Sequence, residues 1–297
     1  MEKTLRVPRE LKGKRLDKFL SENIDSLSRT KIHLLIEEGN VIVNGEAKKP
    51  SYHLKENDTV YIKREEKENN LLEPFEFEIP IIYEDNDILV VDKPAGISTH
   101  PPQPGFHDTL VNALVYMKKE LSEVSPYRPG VVHRLDKETS GVMVLAKNDT
   151  SHLNLIAQFR ERKIVKEYFA ICWGVINKEN LTVDLPMARD QRNRLKMKIS
   201  FIKAKNAYTD FFVLERLKDS TMLSIKPLTG RMHQIRVHLK FLGYPIVGDK
   251  KYGTKDEYDD LYLHAHKLGL YHPREGAFME FTSPMPMRFK QFMSIHK

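Results

Sequence analysis

The chain has 297 residues, 40% of them hydrophobic and 30% charged, and a formal net charge of +7. This length can bury one large core and still form a small accessory module, and the composition excludes a disordered or fibrous protein. No apolar run approaches the ~18 residues of a membrane span, and the charged start MEKTLRVPRE has no secretory h-region, so we expect a soluble cytoplasmic protein. The basic balance favours a polyanionic partner.

The only cysteine, Cys172, lies in the apolar run EYFAICWGV. With no second cysteine it forms no disulfide within the chain, which fits a reducing compartment. We expect it to be a small buried hydrophobic residue rather than a nucleophile.

Residues 13–64 are predicted to form a small α/β module. Apolar residues recur at helical spacing in two segments, the second of which Ser28 would cap and Gly39 would end. The strand VIVNG follows, with a hairpin turn at Asn44-Gly45, and the strand TVYIK closes the module.

The stretch over residues 65–78 is charged and polar, so we predict a linker there and a larger domain over residues 79–297. Strand and helix patterns are mixed in the larger domain. This mixture indicates an α+β fold built on a long, largely antiparallel mixed sheet with flanking helices. In IIYEDNDILVVDKP, Asp85 and Asp87 have the spacing of some metal ligands, but between two apolar runs a turn is favoured.

Three segments of the larger domain carry polar residues outside the core pattern. HRLDKETSG places Asp136 on a turn before the apolar run VMVLA, where a carboxylate is either an ordinary turn residue or is held by a cation for chemistry. In the strand KEYFAICWG, Tyr168 is either a core residue or a platform for a base. In PLTGRMHQIRVHLKFLGYP, Arg231 lies in the turn between a predicted strand and a predicted helix. A cation is unfavourable at a helix N-terminus, which is itself positive, so its presence is explained if Arg231 pairs with Asp136 and keeps that carboxylate ionised.

Taken together and in this order, the three segments resemble the signature segments of the RNA pseudouridine synthases that modify the large ribosomal subunit. The likeness runs over essentially the whole chain. It implies the pseudouridine-synthase fold and the conversion of uridine in RNA into pseudouridine. It makes Asp136 the catalytic aspartate, Tyr168 the tyrosine that packs on the base and Arg231 the arginine paired with the aspartate. Arg134 becomes the side chain that enters the space left by the extruded uridine.

The small module carries a second resemblance. Its segments GKRLDKFL, SRTKIHLLIEEGNVIVNG and DTVYI are similar to the ribosomal-protein S4 type of RNA-binding domain. The resemblance implies that Arg15, Ser28, Arg29 and Lys31 lie on a face that contacts RNA. A merely solvated helix surface is the alternative.

A basic segment of the larger domain, MARDQRNRLKMKISFIKAK, carries seven Arg or Lys residues and one Asp. Its alternating centre RLKMKI predicts an exposed hairpin with a basic face. We expect Arg192, Arg194 and Lys196 to grip RNA, the alternative being an edge strand protected by its basic residues.

The implied reaction breaks the bond between uracil N1 and the ribose, turns the base and rejoins it through C5. We therefore expect no redox, nucleotide or metal cofactor, and the sequence has neither a dinucleotide-binding turn nor a phosphate loop. The target uridine must leave its stack at a cost of a few kcal/mol. Asp136 then acts as a nucleophile on the sugar or as a base on a sugar proton, and the sequence favours neither.

Two other functions are alternatives to pseudouridine formation. A metal-dependent nuclease would need converging carboxylates, and the pairs His264/His266 and His233/His238 lack a zinc signature, so we predict no metal site. A non-catalytic RNA-binding factor for ribosome assembly is the other alternative. The expected partner is structured RNA, ribosomal rather than transfer RNA, with no membrane and a monomeric chain as the default.

Overall fold

The computed structural model of the chain describes residues 2–24, 29–63, 72–102, 105–125, 127–253 and 256–297. These residues form two compact units, Met1–Glu73 with Ser122–Gly130 and Pro74–Leu121 with Val131–Lys297. The sequence-based boundaries of the module, linker and larger domain stay predictions. Among the described helices, none is both long and apolar enough to cross a membrane.

The first unit combines two helices with a small antiparallel sheet. Its elements in chain order are β1 (Glu2–Arg6), a 3-10 turn (Arg9–Leu11), α1 (Leu16–Asn23), α2 (Arg29–Glu37), β2 (Val41–Val43), β3 (Glu46–Ala47) and β4 (Thr59–Lys63). The sheet order is β1-β4-β2-β3. The predicted helices, the predicted strands and the Asn44-Gly45 hairpin are confirmed, both turn residues having positive φ. β1 was not predicted, because three of its five residues are charged.

The second unit contains the remaining elements. They are β5 (Ile81–Glu84), β6 (Ile88–Lys93), α3 (Leu110–Tyr116), β7 (Ser140–Ala146), α4 (Asp149–Glu161), β8 (Val165–Trp173), β9 (Asn180–Asp184), β10 (Met187–Arg189), β11 (Met197–Ile199), β12 (Tyr208–Arg216), β13 (Ser220–Pro227), α5 (Gln234–Phe241), β14 (Leu263–Tyr271), β15 (Phe278–Thr282) and α6 (Met287–Ile295).

Nine of these strands form one long sheet in the order β5-β6-β7-β14-β8-β13-β12-β9, with β15 paired to β14. Only the pairing of β7 with β14 is parallel, among the strands that the structure describes. The predicted α+β class and the largely antiparallel mixed sheet are confirmed. β10 and β11 pair separately as a two-stranded hairpin, as the alternating pattern predicted.

The centre of the sheet fixes the start of β7, which directly follows the predicted catalytic turn. Gly141 has φ +120°, and a Cβ on it would lie 2.1 Å from the carbonyl oxygen of Ala265 in β14. Only glycine permits this approach, because any side chain would force the two strands apart. The turn that carries Asp136 is therefore anchored to the middle of the sheet.

Two further expectations can be compared with the coordinates. Asp85 forms the predicted turn, since its Oδ1 accepts the backbone N–H groups of Asp87 and Ile88 at 2.7 and 2.8 Å. Asp85, Asp87 and His272 place potential ligand atoms within 4.8 Å of one another, but protein donors bind both carboxylates. Cys172 is fully buried as expected, and burial raises the pKa of its thiol to about 12.

Candidate active site

The four residues predicted for the catalytic centre, Arg134, Asp136, Tyr168 and Arg231, line one cleft of about 680 Å³ in the second unit. The cleft runs from the turn before β7, past β8, to the turn that leads into α5. Its lining contains seven Arg or Lys residues and a single carboxylate side chain. The cationic members are Arg134, Arg160, Arg162, Lys166, Arg189, Arg231 and Arg236. Such a lining attracts a polyanion.

Hydrogen bonds on both sides of Asp136 hold its backbone. Thr99 Oγ1 donates to the carbonyl of Leu135 at 3.0 Å, and the N–H of Gly96 donates to the carbonyl of Lys137 at 2.9 Å. The Nζ of Lys93 lies 3.4 Å from the same Lys137 carbonyl. The carboxylate itself keeps 16% of its surface exposed, so it is fixed in place yet open to the cleft.

Arg236 is the cation that faces Asp136. Its Nη1 lies 3.4 Å from Oδ2 of Asp136 and 3.3 Å from Oε2 of Glu138, while Nε and Nη2 donate to Asp249 at 2.8 and 2.7 Å. Burial opposes the charge on Arg236, but the contacts with Asp249 outweigh it and raise the pKa of the guanidinium. A permanent positive charge is thus held beside the carboxylate.

The predicted ion pair between Arg231 and Asp136 is wrong. Arg231 precedes α5 and lines the cleft, but its Nε donates to the carbonyl of Asn206 at 3.1 Å. In the described part of the chain, the basic side chains within 4 Å of Asp136 are the guanidinium of Arg236 and the imidazole of His233. Arg236, five residues beyond Arg231, lies buried within α5 and contacts Asp136, whereas Arg231 lies in the turn before the helix.

Arg236 was not among the predicted site residues, because a charged residue inside QIRVHLKF resembles an exposed helix position. In the structure every residue from Gln234 to Leu239 is buried, and Arg236 keeps 2% of its side-chain surface exposed. The signal that could have identified it was Asp249 in the later segment VGDKKYG, a second acid that needs a cation. His233 was predicted neither as a site residue nor as a metal ligand.

Tyr168 lies on β8, on the strand face that also carries Lys166, and both side chains line the cleft. Burial, followed by the charge of Asp136, raises the pKa of Tyr168, so its phenol stays protonated. Burial, followed by the charge of Arg162, lowers the pKa of Lys166 to about 8. Lys166 donates to the carbonyl of Thr229 at 3.3 Å.

His133 and Arg134, neighbours on the catalytic turn, have different surroundings. The Nε2 of His133 accepts the N–H of Val144 at 3.1 Å, and its ring stacks on Phe159 with centroids 4.7 Å apart. Burial lowers the pKa of His133 to about 3, so the ring is a neutral anchor between the turn and β7. Arg134 is exposed at the cleft.

The residues predicted to bind RNA in the small module are placed only in part. Arg15 forms a two-point ion pair with Asp17, at 3.0 and 2.9 Å, and 41% of its side chain remains exposed. The hydrogen bonds from Arg15, and to a lesser extent the one from His33, hold the pKa of Asp17 at about 2 against the opposing effect of burial. Arg29 and Lys31 belong to α2, but their side chains and all of Ser28 lie outside the described residues.

The predicted basic hairpin is formed by β10 and β11. Arg192 and Arg194 are exposed in its loop, while Lys196 places its Nζ 5.9 Å from the ring centroid of Tyr252. Three apolar side chains are also unusually exposed on and just after the hairpin. They are Leu195 at 76%, Phe201 at 77% and Ile202 at 76%. No role was predicted for these three apolar residues from the sequence.

Comparisons with known proteins agree with this geometry. The family model described as RNA pseudouridylate synthase matches residues 87–241, and the S4 domain model matches residues 14–60. The Bacillus subtilis (strain 168) protein named "Uncharacterized RNA pseudouridine synthase YlyB" is 41% identical, covering 93% of this chain and 92% of its own. "Ribosomal large subunit pseudouridine synthase D" of Pseudomonas aeruginosa is 36% identical, covering 99% and 96%.

The solved structure of "Human RNA Pseudouridylate Synthase Domain Containing 1" superposes with a TM-score of 0.58 at 30% identity, covering 70% of this chain and 83% of that one. The fold is thus that of an enzyme that modifies RNA. More narrowly, the chain belongs to the RNA pseudouridylate synthase family and carries an S4 domain. Its reaction is the isomerisation of uridine in RNA to pseudouridine.

Proposed function

We propose that this enzyme isomerises specific uridines in structured RNA, ribosomal RNA foremost, with Asp136 as the catalytic group. The observation that carries the proposal is the single carboxylate in a cleft lined by seven cations, held by its backbone and faced by Arg236. A lone ionised acid serves both routes open to it, attack on the ribose and removal of a ribose proton.

The remaining cleft residues supply what a base removed from its helix requires. The ring of Tyr168 offers a stacking surface, a contact worth ~1–3 kcal/mol per base. Arg134 is exposed beside Asp136 and is positioned to fill the gap that the extruded uridine leaves in the RNA stack. Arg231, which does not pair with Asp136, becomes a contact for the RNA backbone.

RNA is held outside the cleft by the S4 domain and by the β10–β11 hairpin in this proposal. Arg192, Arg194 and Lys196 supply charge, and the exposed ring of Phe201 supplies a stacking surface for an unpaired base. In the S4 domain the proposed contacts are Arg15, Ser28, Arg29 and Lys31. Ribosomal RNA is favoured over transfer RNA because relatives that match nearly the whole chain are named for the large ribosomal subunit, and this substrate implies action in the cytoplasm.

Asp136→Asn tests the proposal and separates it from a purely RNA-binding assembly factor. The variant should bind ribosomal RNA with unchanged affinity but release no tritium from RNA labelled at uridine C5. Asp259→Asn is the matched control, since that carboxylate is fully exposed and outside the cleft. Pseudouridine mapping of ribosomal RNA from cells lacking the protein then identifies the target. Near-normal tritium release by Asp136→Asn would contradict the assigned role.

A further inference from the structure

A chain of contacts joins the basic hairpin to the predicted catalytic aspartate. The backbone N–H of Met197 in β11 donates to Oη of Tyr252 at 2.7 Å, and that oxygen lies 2.8 Å from Nδ1 of His233. On the other side of the imidazole, Nε2 of His233 lies 3.8 Å from Oδ2 of Asp136. The function proposed above uses the two ends of this chain but neither Tyr252 nor His233.

The direction of the hydrogen bonds follows from the chemistry of the groups. Burial lowers the pKa of His233 despite the nearby charge of Asp136, so its ring is neutral with one N–H. The carboxylate favours that proton on Nε2, which faces it. Nδ1 is then the acceptor, and Tyr252 donates its O–H to it while accepting from Met197. Each donor polarises the next, and the nitrogen that carries the last N–H lies 3.8 Å from Oδ2 of the carboxylate.

Tyr252 also lies between the charges at the two ends. The guanidinium of Arg236 lies 5.4 Å from the centroid of its ring, and the ammonium of Lys196, a hairpin residue, lies 5.9 Å from the same centroid. The Tyr252 side chain is only 5% exposed and packs with the hairpin residues Met197 and Ile199. Tyr252 therefore contacts His233 and Arg236, the two groups that face Asp136. It also contacts the backbone N–H of Met197 and the side chain of Lys196 in the hairpin.

The backbone conformation at His233 is unusual. His233 is the residue that precedes the first turn of α5, with φ +54° and ψ +21°, a left-handed conformation that is uncommon outside glycine and in which asparagine, aspartate and histidine are enriched. Its side chain makes no capping hydrogen bond to the helix. The ring instead lies between Tyr252 and Asp136.

We propose that Tyr252 and His233 are positioning residues that couple contact of RNA with the β10–β11 hairpin to the orientation of Asp136. RNA bound to the hairpin holds β11 in one position. The N–H of Met197 then orients the Tyr252 hydroxyl, and that hydroxyl fixes the tautomer and orientation of His233. The inference rests on the proposed role of Asp136. It predicts that breaking the chain slows the chemical step without weakening RNA binding.

Tyr252→Phe removes only the hydroxyl and keeps the ring against Arg236 and Lys196. The single-turnover rate at saturating RNA should fall at least fivefold, with the Kd for RNA within twofold of wild type. The variant should stay folded with a modestly lower unfolding midpoint, because the Met197 N–H and Nδ1 of His233 lose their partner. His233→Asn keeps a residue suited to positive φ but removes the donor facing Asp136, and it should lose at least as much. The double variant should be no slower than His233→Asn, because both changes break one chain.

Three results would each overturn the coupling. The double variant could be slower than His233→Asn by the full factor seen for Tyr252→Phe alone. The single variants could weaken RNA binding as much as they slow the reaction, or Tyr252→Phe could react at the wild-type rate. The hairpin end is tested by Arg192→Ala with Arg194→Ala, which should lower both affinity and saturated rate in the wild type. In the Tyr252→Phe background it should lower affinity alone; a further loss of saturated rate there would count against the inference. Wild type and Asp136→Asn are assayed in parallel to separate the two proposals. An inactive wild-type enzyme would refute the proposed function, whereas the results named above refute only the coupling.

Discussion

Arg236 grips Asp249 through two parallel contacts, Nε to Oδ2 at 2.8 Å and Nη2 to Oδ1 at 2.7 Å, with both side chains at most 2% exposed. The paired contact fixes the plane of the guanidinium. Only Nη1 is left to face Asp136, and it is shared with Glu138. The position of the positive charge at the active site is therefore set by an acid that lies outside the cleft lining.

Asp249→Asn should reduce both stability and rate. Removing one partner of a buried ion pair costs about 3–5 kcal/mol of unfolding free energy. Here Asp136 and Glu138 remain near Nη1 of Arg236, so we expect the lower end of that range. The freed guanidinium should also leave Asp136, and the single-turnover rate should fall more than tenfold under conditions where the variant is folded. Urea unfolding and tritium release measure the two effects. Asp259→Asn should change neither, and a fully active Asp249→Asn enzyme would show that the paired contact does not position Arg236.

The ammonium of Lys166 should make RNA affinity dependent on pH. Because burial lowers its pKa to about 8, the positive charge is present at pH 7 and lost as the pH rises through 8. We expect the Kd for RNA to increase several-fold between pH 7 and pH 9 at constant salt. Lys166→Arg should keep the affinity at pH 9, since a guanidinium stays charged, and Lys166→Met should be weak at both pH values. Equal pH dependence in all three proteins would exclude this group.

Lys93 is fully buried below the catalytic turn, and its Nζ donates to the carbonyls of Pro94 and Ile97 at 2.8 and 2.9 Å. Burial lowers its pKa to about 7, whereas the unfolded lysine titrates near 10.5. Between these values the unfolded state binds more protons, so stability should rise with pH by up to about 1.4 kcal/mol per pH unit from this group.

Lys93→Met should remove that contribution, and the comparison of urea unfolding at pH 7 and pH 9 checks it. The variant should also lose activity, because the carbonyl of Lys137 beside Asp136 loses a donor. Identical pH slopes for the two proteins would mean that Lys93 is not the titrating group.

The hairpin should contribute to the salt dependence of RNA binding. Neutralising Arg192, Arg194 and Lys196 to alanine should weaken binding and reduce the slope of log K against log salt by about two, since each phosphate contact contributes ~0.7–0.9. A control with the same charge change uses Lys178, Lys290 and Lys297, which are exposed and outside both the cleft lining and the hairpin. An unchanged slope in the hairpin variant, or an equal change in the control, would remove the hairpin from the RNA interface.

The sequence predicted the architecture well because the larger domain follows local rules. Buried runs such as SGVMVLA formed strands, the Asn44-Gly45 pair formed a hairpin, and RLKMKI formed the exposed β10–β11 hairpin. These elements depend on residues close to one another in the sequence. The grouping of Arg134, Asp136 and Tyr168 came instead from the resemblance to the synthase family, and the structure brings the three residues to one cleft.

The partner of Asp136 could not be predicted in the same way. Arg231 and Arg236 differ by five positions, and which of them reaches the carboxylate depends on how α5 packs against the sheet and on Asp249, over a hundred residues from Asp136. The contacts of His233 with Tyr252 likewise need the loop after α5 in place. Ion pairs between distant segments are determined by tertiary packing, so the local sequence pattern does not predict them.

The late position of β14 has a consequence for the nascent chain on the ribosome. β14 lies between β7 and β8 in the sheet, yet it follows β8 by about ninety residues in synthesis. Until it emerges from the exit tunnel, two apolar strand edges stay open, and the sheet cannot close through local contacts alone. The domain should therefore fold in one late step, so stalled chains whose β14 is still inside the tunnel should be digested by protease. Chains extended by a C-terminal linker that carries β14 out of the tunnel should resist it.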